Sequence, residues 1–113
     1  MNPREAMTPR LNEQAEERIR PSRFLGFDRD RIGIHLLSKE MYEVAEAQFR
    51  RAAYLNPYEP AFTQHLAWAL FKRGKLKDAR SAIEESLKSA PDDKDSIYIR
   101  NRIAEAENKR ADD

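Results

Sequence analysis

An all-α fold of stacked antiparallel helix pairs is what this sequence predicts, and three observations predict it. One apolar pattern is written twice between residues 27 and 91, at a spacing of 34 residues. Ile32-Gly33-Ile34-His35-Leu36 lies over Leu66-Ala67-Trp68-Ala69-Leu70. At the same offset Tyr42 falls on Leu76, Ala45 on Ala79, Phe49 on Ile83, Ala52 on Ser86 and Pro57 on Pro91. Repetition at such a period means stacked supersecondary units. Within the pattern apolar residues recur at three- and four-residue steps, and no segment alternates with period two for long enough to make a strand. Finally, 36% of residues are charged against 40% apolar, a surplus suited to exposed helix surfaces built from Glu, Lys and Arg.

Taken in order, residues 1–25 form a leader punctuated by Pro3, Pro9 and Pro21. Between two of these prolines Leu11, Ala15 and Ile19 make a thin apolar stripe for a short helix, which is marginal in water alone. It is either docked on the repeats, capping their N-terminal end, or frayed. Strong helical periodicity starts near Phe27, and a first helix ends near Lys39-Glu40. A second runs from Met41 or Tyr42 to Leu55, where Asn56-Pro57-Tyr58-Glu59-Pro60 stops it, since proline cannot continue the ladder. Pro60 suits the first position of the third helix, where its missing N–H has no partner to lose. Gly74 closes that helix, with Lys72 and Arg73 set against its negative end. Leu76, Ala79, Ala82, Ile83 and Leu87 make a fourth helix, stopped by Ala90-Pro91. Asp92 or Asp93 then caps a fifth, over roughly 93–109, with Ile97, Ile99 and Ile103 on its apolar side.

The paired small and apolar positions resemble the tetratricopeptide repeat family. The carrying residues are Ile32-Gly33, Leu36, Tyr42, Ala45, Phe49, Ala52 and Pro57 in one unit. In the next they are Leu66-Ala67, Leu70, Gly74, Leu76, Ala79, Ile83 and Pro91. Arg29 and Thr63 depart from the family's bulky residue, Ser86 replaces a usual alanine, and Glu40 stands where glycine is preferred. The resemblance implies a short right-handed α-solenoid: leader 1–25, repeats 26–59 and 60–93, a capping helix 94–110 and a frayed tail 111–113.

It also implies function. First helices of successive units line a concave groove in this family, which puts Phe27, Asp30, Ile34, Leu37 and Ser38 of the first unit there. Ala61, Gln64, Trp68, Phe71 and Lys72 follow from the second unit, and Tyr98 and Arg102 from the cap. Aromatic anchors beside Arg are the stuff of binding hot spots. Trp68 has a plainer alternative, packing between adjacent first helices. At the positions where some relatives clamp a terminal carboxylate stand Asp30, Ile34, His65, Asp95 and Ile99, so that clamp is absent. The expected partner is another protein, a peptide or helix laid with its apolar side in the groove, or a second copy of the chain in a homo-oligomer. Residues 11–20 of the same chain are a third candidate for the groove.

Other chemistries find little support. A net charge of +1 supplies no field of one sign to draw nucleic acid or acidic lipid. Cysteine is absent, and His35 and His65 sit on different helices with no ligand set around them, so no metal or other cofactor is expected. Ser38, Ser81 and Ser86 lack a His and acid in view, so no catalytic residue is expected. Lys72-Arg73-Lys75-Lys77 marks a solvated turn with acids following. The leader lacks the apolar core of a secretory signal, and the longest apolar run, Leu66 to Phe71, is too short to span a bilayer. A cytoplasmic, non-enzymatic interaction protein is the expectation.

Overall fold

Each helix begins and ends where local chemistry requires. The computed structural model describes residues 25–112. Among them are five helices and no strand: α1 (Phe27–Ser38), α2 (Tyr42–Leu55), α3 (Pro60–Lys72), α4 (Leu76–Ser89) and α5 (Lys94–Asp112). The leader helix expected around 11–20 lies outside the described residues. Gly26 precedes α1 at φ +94°, and a Cβ there would press on the Phe62 ring and the Ala52 carbonyl. Glu59 caps α3, its carboxylate accepting from the Ala61 N–H, with Pro60 at the first helical position. Of the two acids before α5, Asp93 is the cap: its Oδ1 accepts from Ser96 N–H at 2.9 Å. The fifth helix extends to Asp112, two residues past the expected end of the capping helix at 110. Near its end Arg110 donates to the Gly74 carbonyl at 2.9 Å, which ties the tail to the α3–α4 turn.

Consecutive helices pack on one another, and α5 also touches α3. One core runs through them, from Ala45 and Phe49 on α2 through Leu66, Ala67 and Leu70 on α3 and Ala79 and Ile83 on α4 to Ile99 and Ile103 on α5. The two units solve the same close approach differently. In the first, a Cβ on Gly33 would overlap the Phe49 ring. In the second, Ala67 and Ile83 occupy the same two places, and both are fully buried. A methyl fits against isoleucine but not against the larger ring, so glycine is required only in the first unit.

Polar side chains knit the units together. Glu46 on α2 is buried and takes hydrogen bonds from Arg50 one turn on and from Arg73, the residue that ends α3. Burial works to raise the pKa of this carboxyl, but the hydrogen bonds and charge of Arg73 and Arg50 outweigh it and hold it below the usual range. At the other junction Ser86 Oγ donates to the Pro60 carbonyl at 2.8 Å. Its single proton is thereby used, so Ser96 Oγ donates to it across 3.2 Å. Ser96 in turn accepts from Gln64 Nε2 at 2.8 Å. The serine that replaces a small apolar residue at position 86 is therefore the centre of a satisfied buried relay linking α3, α4 and α5.

Candidate functional site

Helix periodicity places Trp68, Phe71 and Lys72 on one face of α3, and the α3–α5 contact brings Tyr98 and Arg102 beside them. The Trp68 ring lies 5.3 Å from Phe71 and 6.5 Å from Tyr98, centroid to centroid, at tilts of 30° and 31°. These three rings form a shelf. Lys72 Nζ stands 5.5 Å over Trp68, and Arg102 stands 5.4 Å over Phe71 and 5.7 Å over Tyr98. Arg102 also donates to the Tyr98 hydroxyl at 2.7 Å, which fixes its guanidinium in place. Cations over aromatic faces gain from the ring quadrupole while keeping donors free for a partner. Trp68 and Phe71 are half-buried, packed on the core from below, while Tyr98 is exposed. A shallow hollow of about 210 Å³ adjoins the shelf, lined by Phe71, Arg102, Glu105, Ala106 and Lys109.

The remaining residues expected in the groove divide. On α1, Ile34 is exposed and Leu37 half-buried, so both offer apolar surface; Ser38 is exposed, its hydroxyl donating to the His35 carbonyl at 2.6 Å. Phe27 packs edge-on against the buried Phe62 ring at 4.8 Å and contributes to the α1–α3 contact. Gln64 is half-buried, both of its visible bonds going to Asp93 and Ser96 at the start of α5. Asp30, expected to face the groove, is buried instead. Its carboxylate accepts from His65 Nδ1 at 2.6 Å, and His65 leans on Phe49 at 5.5 Å. This pair joins α1 to α3, and the two side chains satisfy each other.

Two contributors went unseen in the sequence. Tyr42 reads as a frame position matching Leu76, yet its ring lies 5.9 Å from Lys72 Nζ at the edge of the shelf. An aromatic where the next unit has leucine was the available signal. Arg73 reads as part of a solvated basic turn, but it is the residue that reaches back to Glu46.

Among the described residues no group of three or more His, Cys, Asp or Glu could hold a metal ion. Likewise no described helix is long and apolar enough to cross a membrane. A family model described as tetratricopeptide repeat matches residues 36–103. No curated protein matches the chain.

Proposed function

The chain belongs to the tetratricopeptide repeat family, and from that premise we propose that it is a non-enzymatic protein-interaction module binding an apolar segment in its groove. The carrying observation is the Trp68–Phe71–Tyr98 shelf with Lys72 and Arg102 over it. Rings held by packing lose little entropy on binding, and an amphipathic helix or extended peptide with its apolar side down suits such a surface. Leu37 and Ile34 extend the apolar floor onto α1. Capture from native lysate tests the reading by comparing wild type with a Leu37→Glu/Phe71→Glu double variant whose circular dichroism stays helical. Loss of the captured protein supports the groove; equal capture by both sinks it.

A second reading is self-assembly through the groove or the repeat ends, favoured by Met41, Ile32 and Val44, which leave apolar surface exposed on the first unit. Sedimentation over a range of concentrations separates the two. A monomer supports the adaptor, whereas a dimer that dissociates on Trp68→Ala supports assembly through the shelf.

A further inference from the structure

The second unit shows what the first unit lacks. Between α2 and α4 runs a trough of about 320 Å³ floored by α3, with Leu66 and Leu70 at its base. Helix α2 closes one side, and its Arg50 faces a wall carrying Asp78 and Glu85. Under that cover Leu66 is only 7% exposed. One period earlier the corresponding floor residue is Ile32, and it is 45% exposed. Val44 and Ala47, both exposed, stand on the wall where the second unit has Asp78 and Ser81. The place that α2 takes over Leu66 has no described helix over Ile32.

The sequence holds a segment of the right length at the right distance. Thirty-four residues before Tyr42–Leu55 lie residues 8–21, and the connector 56–59 corresponds to 22–25, ending at Gly26 where the next unit has Pro60. Thr8-Pro9 has the chemistry of a helix cap followed by a first-position proline, and Pro21 stops the run. In this register Leu11 takes the place of Ala45, Ala15 that of Phe49 and Ile19 that of Ala53. One pair of charges also corresponds, with signs exchanged: Glu16 takes the place of Arg50, and Arg51 that of Glu85. Arg29 adds a second cation where the next unit has the neutral Thr63, and Val44 stands where it has Asp78.

We propose that residues 8–21 dock on α1 as an N-terminal half-unit, in the place α2 takes on α3, covering Ile32 and bringing Glu16 to Arg29 and Arg51. An exposed apolar floor, an acid among cations and a connector of matching length make this segment of the chain the occupant, in preference to a second copy or to its lying in the groove. The first unit then has a helix in the place that α2 takes on the second, covering its apolar flank as stacked units require.

Thiol labelling of the full chain tests this, because the sequence contains no cysteine and each introduced thiol reacts alone. Ile32 and Ile34 are equally exposed, at 45%, two residues apart on α1. Docking shields the Ile32→Cys variant from a maleimide and leaves Ile34→Cys open, so the first should react about tenfold more slowly. Adding Leu11→Glu/Ile19→Glu should bring the two rates together. Equal rates in the unmodified leader overturn the proposal, as does protection of Ile34→Cys, which would put the leader in the groove. Protection of Ile32→Cys that disappears on dilution also overturns it, by pointing to a second copy. A charge exchange gives an independent reading. Glu16→Arg should lower the melting temperature by about 2–4 °C and Arg51→Glu by more, since its guanidinium also lies 5.1 Å over the Tyr54 ring. The double variant should fall by clearly less than the two shifts added. Simple addition of the two shifts overturns the Glu16–Arg51 pairing.

Discussion

Glu40 ends the turn after α1 with φ at +59°, in the left-handed region where a Cβ crowds its own carbonyl. Its counterpart one period later is Gly74, at φ +77°. Three bonds fix the first turn, Lys39 and Met41 donating to the Leu36 carbonyl and Glu40 to that of Leu37, so the backbone cannot relax to a cheaper angle. Glu40→Gly should therefore stabilise the protein by about 1 kcal/mol, the relief of left-handed strain slightly offset by the larger freedom of glycine in the unfolded chain. Urea melts of the two proteins at equal m-value decide it. An unchanged or lower midpoint would mean that Glu40 is held by something other than strain. Here the residue could be read from the sequence, since a period of 34 lays it on Gly74. What could not be read was Asp30. Its helical position suggests a groove-facing carboxylate, and only the approach of α1 to α3 brings His65 within 2.6 Å and buries the pair.

At the scale of elements, the helices follow from local chemistry, while the joints between units depend on long side chains whose reach no periodicity reveals. Proline, glycine and the capping acids Glu59 and Asp93 mark most boundaries, while Glu40 makes the α1–α2 turn without any of them. The fifth helix continues to Asp112, with Arg110 bonded to the Gly74 carbonyl on the α3–α4 turn. Ser86 looked like a departure from pattern and turned out to be the hub of a relay through Pro60, Ser96 and Gln64. The Glu46–Arg73 contact belongs to the same class, and its effect on stability depends on pH. A carboxyl whose folded pKa is depressed contributes fully at neutral pH. That contribution fades as the pH falls below the unfolded value of about 4.3 and is gone below the folded one. Glu46→Gln should cost about 1 kcal/mol at pH 7, a figure kept modest because Arg50 and Arg73 both still reach water. The cost should shrink as the pH drops below about 4. Thermal melts of wild type and variant between pH 7 and pH 3 test the sign. Curves that stay parallel down to pH 3 would remove Glu46 from the acid response.

Over the whole molecule the array is short enough that one core runs through both units. Repeat proteins depend on nearest neighbours, so a long array can open from its ends. In this chain Phe49 of the first unit and Ile103 of the cap belong to the same cluster, joined by Leu66, Leu70 and Ile83. Loss of any one layer therefore exposes the next. Ile103 is 1% exposed and sits where α5 closes the second unit. Truncating such a side chain costs about 2–5 kcal/mol, set against a total of about 5–10 kcal/mol for a domain of this length. Ile103→Ala should accordingly shift the melt of the entire molecule, not of the cap alone. Helicity by circular dichroism reports all five helices, and the fluorescence of Trp68, the one tryptophan in the sequence, reports the shelf between α3 and α5. Both signals should move together to a lower midpoint in the variant. If the fluorescence transition instead separates from the helical one, the cap unfolds by itself. The aromatic shelf would then be a detachable surface, no longer fixed by the core beneath it.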